Sequence, residues 1–454
     1  MQIKEKATWE VLRDHLSHDD RLGLNEYLSE LSGEDSLRAL MRLEADEQQQ
    51  VFARLTPESA AEVFEFIPDE SAGGLLGDLS PEVAASIVSE MPSDEQADVL
   101  SEVGEDERED ILRHMDDEDV VEARQLMAYD DDVAGGLMMK EYFSYPKMFR
   151  ASSVLRDLAG REDEYELNHV LYIYVTDRAG RLLGVARIRD IIVAASDSRL
   201  VDILLPAMSV KDTTPLDELE DFFDENNMSA VPVVDEENRI LGVVRRRSVY
   251  DAVAERADAD HLKSQGIVGG EELRAMPTLV RSRRRLSWLS VNIVLNIIAA
   301  SVIAQFQDVL SAVIILAVFL PIVSDMSGCS GNQAVAVSMR ELSLGIIKRA
   351  DLFYVWRKEV VVGIINGATL GLLVSIVAWV WQGNGWLGLV VGLALAINTV
   401  LAVSIGGTVP VILKSLGVDP AVASGPILTT ITDMCGFFLL LGTASLMLPL
   451  LTGV

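Results

Sequence analysis

The chain lacks most of what marks a catalytic or secreted protein. Only two cysteines, Cys329 and Cys435, occur in 454 residues, and both lie in apolar stretches, so no disulfide framework is expected. None of the five histidines falls in a long apolar run. There is no nucleophile-base constellation and no phosphate-binding P-loop, so neither an enzyme nor an ATP-driven pump is expected. Positive charge is scarce: 38 Lys and Arg stand against 70 Asp and Glu, a net of −32. Such an excess repels nucleic acid and anionic headgroups and favours cation binding or sensing. The opening Met1-Gln-Ile-Lys-Glu-Lys leads into a polar helical pattern that does not resemble a signal peptide. The N-terminal part is therefore expected to stay in the cytoplasm.

The acid is unevenly placed. Residues 271–454 hold 11 basic and 9 acidic residues, a net of +2, and taking that from −32 leaves −34 on residues 1–270. In that acidic part an apolar residue recurs every twelve positions: Leu31, Leu43, Leu55, Ile67, Leu79, Met91, Val103, Met115 and Met127. Helix-start signals such as Thr56-Pro57-Glu58 and Ser80-Pro81-Glu82 follow the repeating position. Each unit reads as one short helix and a turn, and helices so short must stack to persist. A solenoid is the expectation, with a plain bundle of short helices as the alternative.

Residues 137–199 change character. A capped helix ending at Gly160 leads to the β-rich run 170–177, the turn Arg178-Ala-Gly180, a second strand from Leu182, and a helix near Arg189-Asp190. The same order returns in 200–256, with Ala230-Val-Pro-Val-Val-Asp235 and Ile240-Leu-Gly242-Val-Val as the strands. This tandem resembles a pair of CBS modules, regulatory folds that often bind adenine nucleotides. A mostly polar helical connector then carries Asp258 and Asp260 up to the basic run Arg281-Ser-Arg-Arg-Arg285.

Five apolar segments follow, at about 286–306, 309–329, 359–381, 386–413 and 425–450, each long enough for about 30 Å of hydrocarbon. The turns expected inside hold Arg340, Lys348, Arg349, Arg357, Lys358 and Lys414, whereas the outside turns hold no basic residue. This places the N-terminus in and the C-terminus out. The last segment contains Pro426-Ile-Leu-Thr-Thr-Ile-Thr-Asp433-Met-Cys-Gly436. A carboxylate at such depth costs roughly 2.5–3.5 kcal/mol on insertion scales, which makes Asp433 a functional candidate. Its plain alternative is an acid paired with another buried polar group for packing.

The order and the local strings together resemble the MgtE family of magnesium channels. Leu320-Pro321 through Gly328-Cys-Ser-Gly331-Asn332-Gln333, with Arg340-Glu341 after it, is similar to that family's glycine-rich element. Lys358-Glu359 with Gly363, Gly367 and Gly371 looks like its third span, Thr429-Thr430-x-x-Asp433-x-x-Gly436 like its fifth, and Tyr129 through Met138 like the junction before the CBS pair. The resemblance implies a multi-domain membrane protein: an acidic helical-repeat domain over 1–135, CBS modules over 136–199 and 200–256, a connecting plug helix over 257–284, and a five-helix all-α transmembrane domain over 285–454. It implies a homodimer in the cytoplasmic membrane that takes up Mg²⁺ and is gated by divalent cations on the acidic domains. An ion-coupled secondary transporter or efflux carrier for Mg²⁺, Mn²⁺ or Co²⁺ is the alternative. Membrane lipid and divalent cations are the other partners, with no nucleic acid.

For the ion path the resemblance points to Asp433, Thr430 and Asn332. Mg²⁺ keeps several waters, so carboxylates, hydroxyls and carbonyls can hold it without a closed cage. Asp325 and Cys329 depart from the family pattern; Asp325 either adds a second acid to the path or sits solvated at the cytoplasmic mouth. The GxxxG spacing of Gly363, Gly367 and Gly371 is expected to serve close helix packing. Regulatory cations fall to Asp94, Asp98, Asp258 and Asp260, and Glu359 is a gating candidate. Arg247 stands where the family carries an acid, so a salt bridge from Arg247 to Asp94 and Asp98 is expected to replace part of the metal clamp. Arg187 and Asp190 match the nucleotide-contacting region, which makes ATP a candidate ligand.

Overall fold

A computed structural model of the chain describes residues 7–160, 172–267, 269, 272–274 and 276–452. Residues 1–6, Val170 and Leu171 of the expected strand, and Val268, Gly270, Glu271 and Ala275 of the connector lie outside the described residues. The chain forms two compact units: Met1–Arg256 with Leu273–Met276, and Ala257–Glu272 with Pro277–Val454.

The first unit opens with ten helices among the described residues, α1 (Thr8–Ser17) to α10 (Asp117–Leu126). From α3 (Gly33–Leu40) on, helices start at Gly33, Ala45, Pro57, Asp69, Pro81, Ser93, Glu105 and Asp117, a constant step of twelve. Caps set the step. Ser32 accepts from the Asp35 N–H at 3.2 Å and Thr56 from the Ser59 N–H at 3.3 Å, while Pro57 and Pro81 occupy first-turn positions that need no N–H donor. Two turns cannot stand alone, so each helix buries an apolar residue in a shared core that includes Phe52, Phe64, Leu76, Ile87, Leu100 and Ile111. A fully buried leucine such as Leu76 contributes about 1.5–3 kcal/mol relative to exposure. The repeating positions Leu43, Ile67, Met91, Val103 and Met115 are buried in the same core, with Leu55 and Leu79 packed against it.

The tandem repeat follows as two small sheets. In one, β2 (Ser144–Pro146) runs parallel to β3 (Tyr172–Thr176), which pairs antiparallel with β4 (Leu182–Arg187); α11 (Ala151–Leu158) and α12 (Ile188–Val193) belong to the same module. In the other, β5 (Val210–Lys211) runs parallel to β6 (Ala230–Val234), and β6 pairs antiparallel with β7 (Ile240–Arg245), with α13 (Leu216–Glu225) beside them. Both hairpins shift register at the matching place, Val175/Thr176 and Val233/Val234, a structural trace of the tandem repeat. The strand β1 (Met138–Met139) precedes the first module in the chain but pairs with β7 of the second. Immediately after β7, α14 (Arg246–Ser264) begins.

The second unit is helical: α15 (Thr278–Ala304), α16 (Gln307–Ala312), α17 (Leu316–Ser343), α18 (Leu352–Gln382), α19 (Gly385–Ser415), α20 (Pro420–Leu446) and α21 (Leu448–Thr452). Among the described residues, four helices are long and apolar enough to cross a membrane: those covering Thr278–Ala304, Arg349–Gln382, Gly385–Ser415 and Pro420–Leu446. The expected second span lies elsewhere than its hydropathy indicates. The chain breaks after the six-residue α16 at Val313, and α17 starts at Leu316 and runs 28 residues to Ser343. Polar residues from Ser324 to Gln333 thus sit inside that helix, which is why it lacks the long uninterrupted apolar stretch of the other four. The close packing expected of the third span is present. A Cβ on Gly367 or Gly371 would come within 2.5 Å of the carbonyl oxygens of Ala396 and Gly392 on α19, a distance only glycine permits.

Candidate functional site

Asp433 lies half-buried on α20, seven residues after Pro426, so about two turns separate the carboxylate from the proline, which removes one backbone donor from the continuous helix. Its Oδ1 accepts a hydrogen bond from the Ser324 hydroxyl of α17. Ser324 went unnoticed in the sequence because its meeting with Asp433 depends on how two helices rotate. The neighbouring Asp325 is exposed and close enough to act electrostatically on Asp433, so two acids stand in the same part of the helical unit. Thr430, one turn before Asp433, turns its hydroxyl back to the Pro426 carbonyl at 2.7 Å. Asn332 is exposed on α17 eight residues beyond Ser324, about 12 Å along a helix, so within one chain it does not join the Ser324–Asp433 contact. Glu359 is also apart from it. That carboxylate packs at Gly407 of α19, where a Cβ would come within 2.5 Å of the Glu359 Cγ, and it feels the charge of Glu341.

A second cluster belongs to the first unit. The helices α5 (Pro57–Phe64), α6 (Asp69–Gly77), α8 (Ser93–Glu102) and α14 border a cavity of about 150 Å³. Asp94, Glu95 and Asp98 line it from α8, Glu65 and Asp69 from the α5–α6 region, and Asp251 and Glu255 from α14, with Arg245 and Arg247 as the cations. Asp94 and Asp98 do share a helix face, as their spacing requires. The cation bonded to Asp94, however, is Arg245 and not the expected Arg247: Arg245 Nη2 donates to Asp94 Oδ2 at 3.0 Å. Arg247 instead reaches Glu65 at 2.9 Å and Asp251 at 3.4 Å. Secondary structure explains the exchange, because the strand ends at Arg245 and the helix begins at Arg246, which redirects the side chains that follow. Arg246 has a third task, donating to the carbonyls of Phe223, Asn226 and Met228 at the end of α13.

Burial, reinforced by Asp69, Asp94, Asp131 and Glu255, pushes the Asp98 carboxyl up to about 9. Burial, with Asp94 and Glu65, raises Glu95 to about 7. Asp98 therefore keeps its proton at neutral pH, and Glu95 does so in part, unless a cation takes its place. One observation suits such a cation: Asp94 Oδ1 is buried and has no hydrogen-bond partner. Among the described residues no group of three or more acids, histidines and cysteines is placed to hold a bare ion. A hydrated Mg²⁺, held through its own waters, needs fewer direct ligands. The remaining expected sites lie elsewhere. Asp258 is exposed on α14 and Asp260 two residues later, a spacing that turns them to different sides of one helix. Arg187 Nε donates to Asp190 Oδ2 at 2.7 Å, so the two nucleotide candidates pair with each other, and the guanidinium holds the Asp190 carboxyl below its ordinary range.

Comparison with known proteins fits this architecture piece by piece. Family models match the helical repeat at residues 31–132 (MgtE intracellular N domain), the second module at 202–255 (CBS domain) and the helical unit at 320–443 (MgtE, divalent cation transporter). The Magnesium transporter MgtE of Enterococcus faecalis is 32% identical over 330 residues, covering 72% of each chain. This chain belongs to the MgtE family. The Magnesium transporter MgtE of Thermus thermophilus is 33% identical over 336 residues, again 72% of each chain. Among solved structures, the cytosolic domain of the Mg²⁺ channel MgtE in complex with ATP is 31% identical with a TM-score of 0.50, and the match covers 53% of this chain and 98% of that one. As a member of a transporter family with several membrane-crossing helices, the chain is a multi-pass membrane protein.

Proposed function

We propose that the chain passes Mg²⁺ across the cytoplasmic membrane along a path centred on Asp433, completed by the same residue of a second copy. The observation that carries this reading is the Asp433 carboxylate, held by Ser324 in a membrane-length helix of an MgtE-family chain. One oxygen is fixed by the serine, which leaves the other to accept hydrogen bonds from water around a cation. Two such carboxylates across a two-fold axis neutralise a divalent ion without stripping its hydration shell, which Mg²⁺ gives up reluctantly. Thr430 and Asp325 lie on the approach to this point, and Asn332 would serve it from the partner chain.

In this reading cytosolic Mg²⁺ closes the path. The ion enters the acidic cavity, displaces protons from Asp98 and Glu95 and meets the free oxygen of Asp94, while Arg245 supplies a charge that no metal has to bring. Asp258 and Asp260 on α14 and Glu359 on α18 are further candidate acids for this control. The N-terminus faces the cytoplasm and the C-terminus the outside. ATP, which the related cytosolic domain binds, is a candidate ligand of the first CBS module near Arg187 and Asp190.

Flux of Mg²⁺, Mn²⁺ and Ca²⁺ into liposomes holding the full chain tests the claim. Asp433→Ala is expected to lower Mg²⁺ flux at least tenfold, and undiminished flux in that variant removes the reading. A second reading, an ion-coupled carrier, draws on the proximity of Asp325 to Asp433. Mg²⁺ flux that collapses when proton and sodium gradients are abolished would favour it.

A further inference from the structure

One of the fully buried polar side chains near the proposed path is an asparagine. Asn398 of α19 is fully enclosed, and its amide nitrogen reaches both helices that build the Ser324–Asp433 contact. One N–H goes to the Ser327 hydroxyl of α17 and the other to the Thr432 carbonyl of α20 at 3.1 Å. Ser327 in turn donates to the Val323 carbonyl at 2.6 Å. Ser327 lies one turn from Ser324, and Thr432 is the residue before Asp433. The amide thus grips each helix beside the group that matters. A reversed amide would set its oxygen against the Thr432 carbonyl, two acceptors facing each other, so the donor orientation is the one the site allows. Room for the amide comes from Gly436, where a Cβ would stand 2.7 Å from the Asn398 nitrogen. The amide oxygen is buried without a partner. An apolar residue would avoid that cost; the two donated bonds are what an asparagine adds here.

We propose that Asn398 is a positioning residue for ion passage, fixing the rotation of α20 and the depth of α17 so that Ser324 holds one oxygen of Asp433 and the other faces the cation. This rests on the reading of Asp433 as the ion-binding carboxylate. A small rotation of α20 would release the serine and swing the carboxylate away, so loss of the amide should alter which ions pass as well as how fast.

The test uses the full chain in liposomes with Mg²⁺, Mn²⁺ and Ca²⁺ as probes. Asn398→Leu keeps the branched outline, in a somewhat larger side chain, and removes both donors; Asn398→Asp keeps the shape and donates nothing when ionised. We expect both to cut Mg²⁺ flux at least tenfold, to raise the half-saturating Mg²⁺ concentration, and to change the Mg²⁺:Ca²⁺ flux ratio more than threefold, with unaltered size-exclusion profiles. Ser327→Ala should move the same ratio in the same direction, and the double variant with Asn398→Leu should be no worse than Asn398→Leu alone, because one bond cannot be lost twice. If Asn398→Leu fails to fold, Ser327→Ala decides by its ratio. A folded Asn398→Leu, or failing that Ser327→Ala, with wild-type ratio and half-saturation overturns the proposal. Asp433→Asn run beside them separates the two claims: if it is inactive while Asn398→Leu matches wild type, only the positioning role falls, and if it conducts normally the ion site itself is misplaced.

Discussion

Three consecutive arginines show how much one residue of offset changes. Asp94 is almost enclosed, its side chain 6% exposed, and Arg245 keeps 31% of its own. Removing Arg245 leaves the Asp94 carboxylate uncompensated, which costs about 3–5 kcal/mol at a wholly buried pair, and roughly 2–3 kcal/mol is expected here because the guanidinium is partly wetted. Arg247 and its partner Glu65 are 68% and 36% exposed, so Arg247→Ala should cost about 1 kcal/mol or less. Thermal unfolding of the full chain in chelator checks the contrast: Arg245→Ala should lower the midpoint clearly and Arg247→Ala barely. Mg²⁺ should restore part of the loss in Arg245→Ala, since a cation beside Asp94 takes over the missing charge. That a cation faces Asp94 was legible in the basic run 245–247. Which arginine does so was not, because it turns on the residue where β7 becomes α14. Ser324 and Asn398 were harder still, being unremarkable span residues whose value comes only from partners about 34 to 109 positions away in the chain.

At the scale of the element, α8 joins two kinds of chemistry. Its N-terminus is held by Glu141, whose carboxylate accepts from the Ser93 N–H at 2.9 Å and the Ser93 hydroxyl at 2.8 Å. Its middle presents Asp98 to the carboxylates of Asp69 on α6, Asp94 on α8 itself, Asp131 beyond α10 and Glu255 on α14. An acid raised from 3.8 to about 9 on folding lends its full stability below its unfolded value and loses it as pH climbs through the folded one, at up to about 1.4 kcal/mol per pH unit for one proton. In chelator, protection of the full chain from proteolysis should therefore weaken between pH 5 and pH 9, and Asp98→Asn, which never ionises, should flatten that profile. An equally steep profile in the variant would assign the pH dependence to other groups. Helix placement divides along similar lines. The twelve-residue step could be read from the sequence because capping residues and core leucines mark every unit locally. The start of α17 could not, because residues 309–329 are continuously apolar enough to read as one span, and only packing decides that the chain turns at Val313.

Over the whole molecule, the proposed gating requires a signal from the acidic cavity of the first unit to reach the Asp433 carboxylate of the helical unit. Within the second unit the covalent and polar links are visible. Lys263, near the end of α14, stands 3.8 Å from Asp419, and Asp419 caps α20 by accepting from the Ala421 N–H at 2.8 Å. The helix that opens the connector therefore touches the N-cap residue of the helix that carries Asp433. Displacing Lys263 would tug on α20 at its cap, and rotation of α20 is what the Ser324 and Asn398 contacts resist. The pair is partly exposed, so its own worth is small, about 1 kcal/mol or less. A coupling of that size corresponds to a shift of about fivefold in an apparent affinity. Lys263→Glu, which sets two acids against each other, is thus expected to shift the Mg²⁺ concentration for half-closure upward by about fivefold, with the flux of the fully open state and its Mg²⁺:Ca²⁺ ratio unchanged. Flux into liposomes measured against Mg²⁺ on the side of the soluble domains reads both quantities. An unshifted closing curve would mean that the connector does not act through the cap of α20, and a changed ion ratio would mean that Lys263 bears on the path itself.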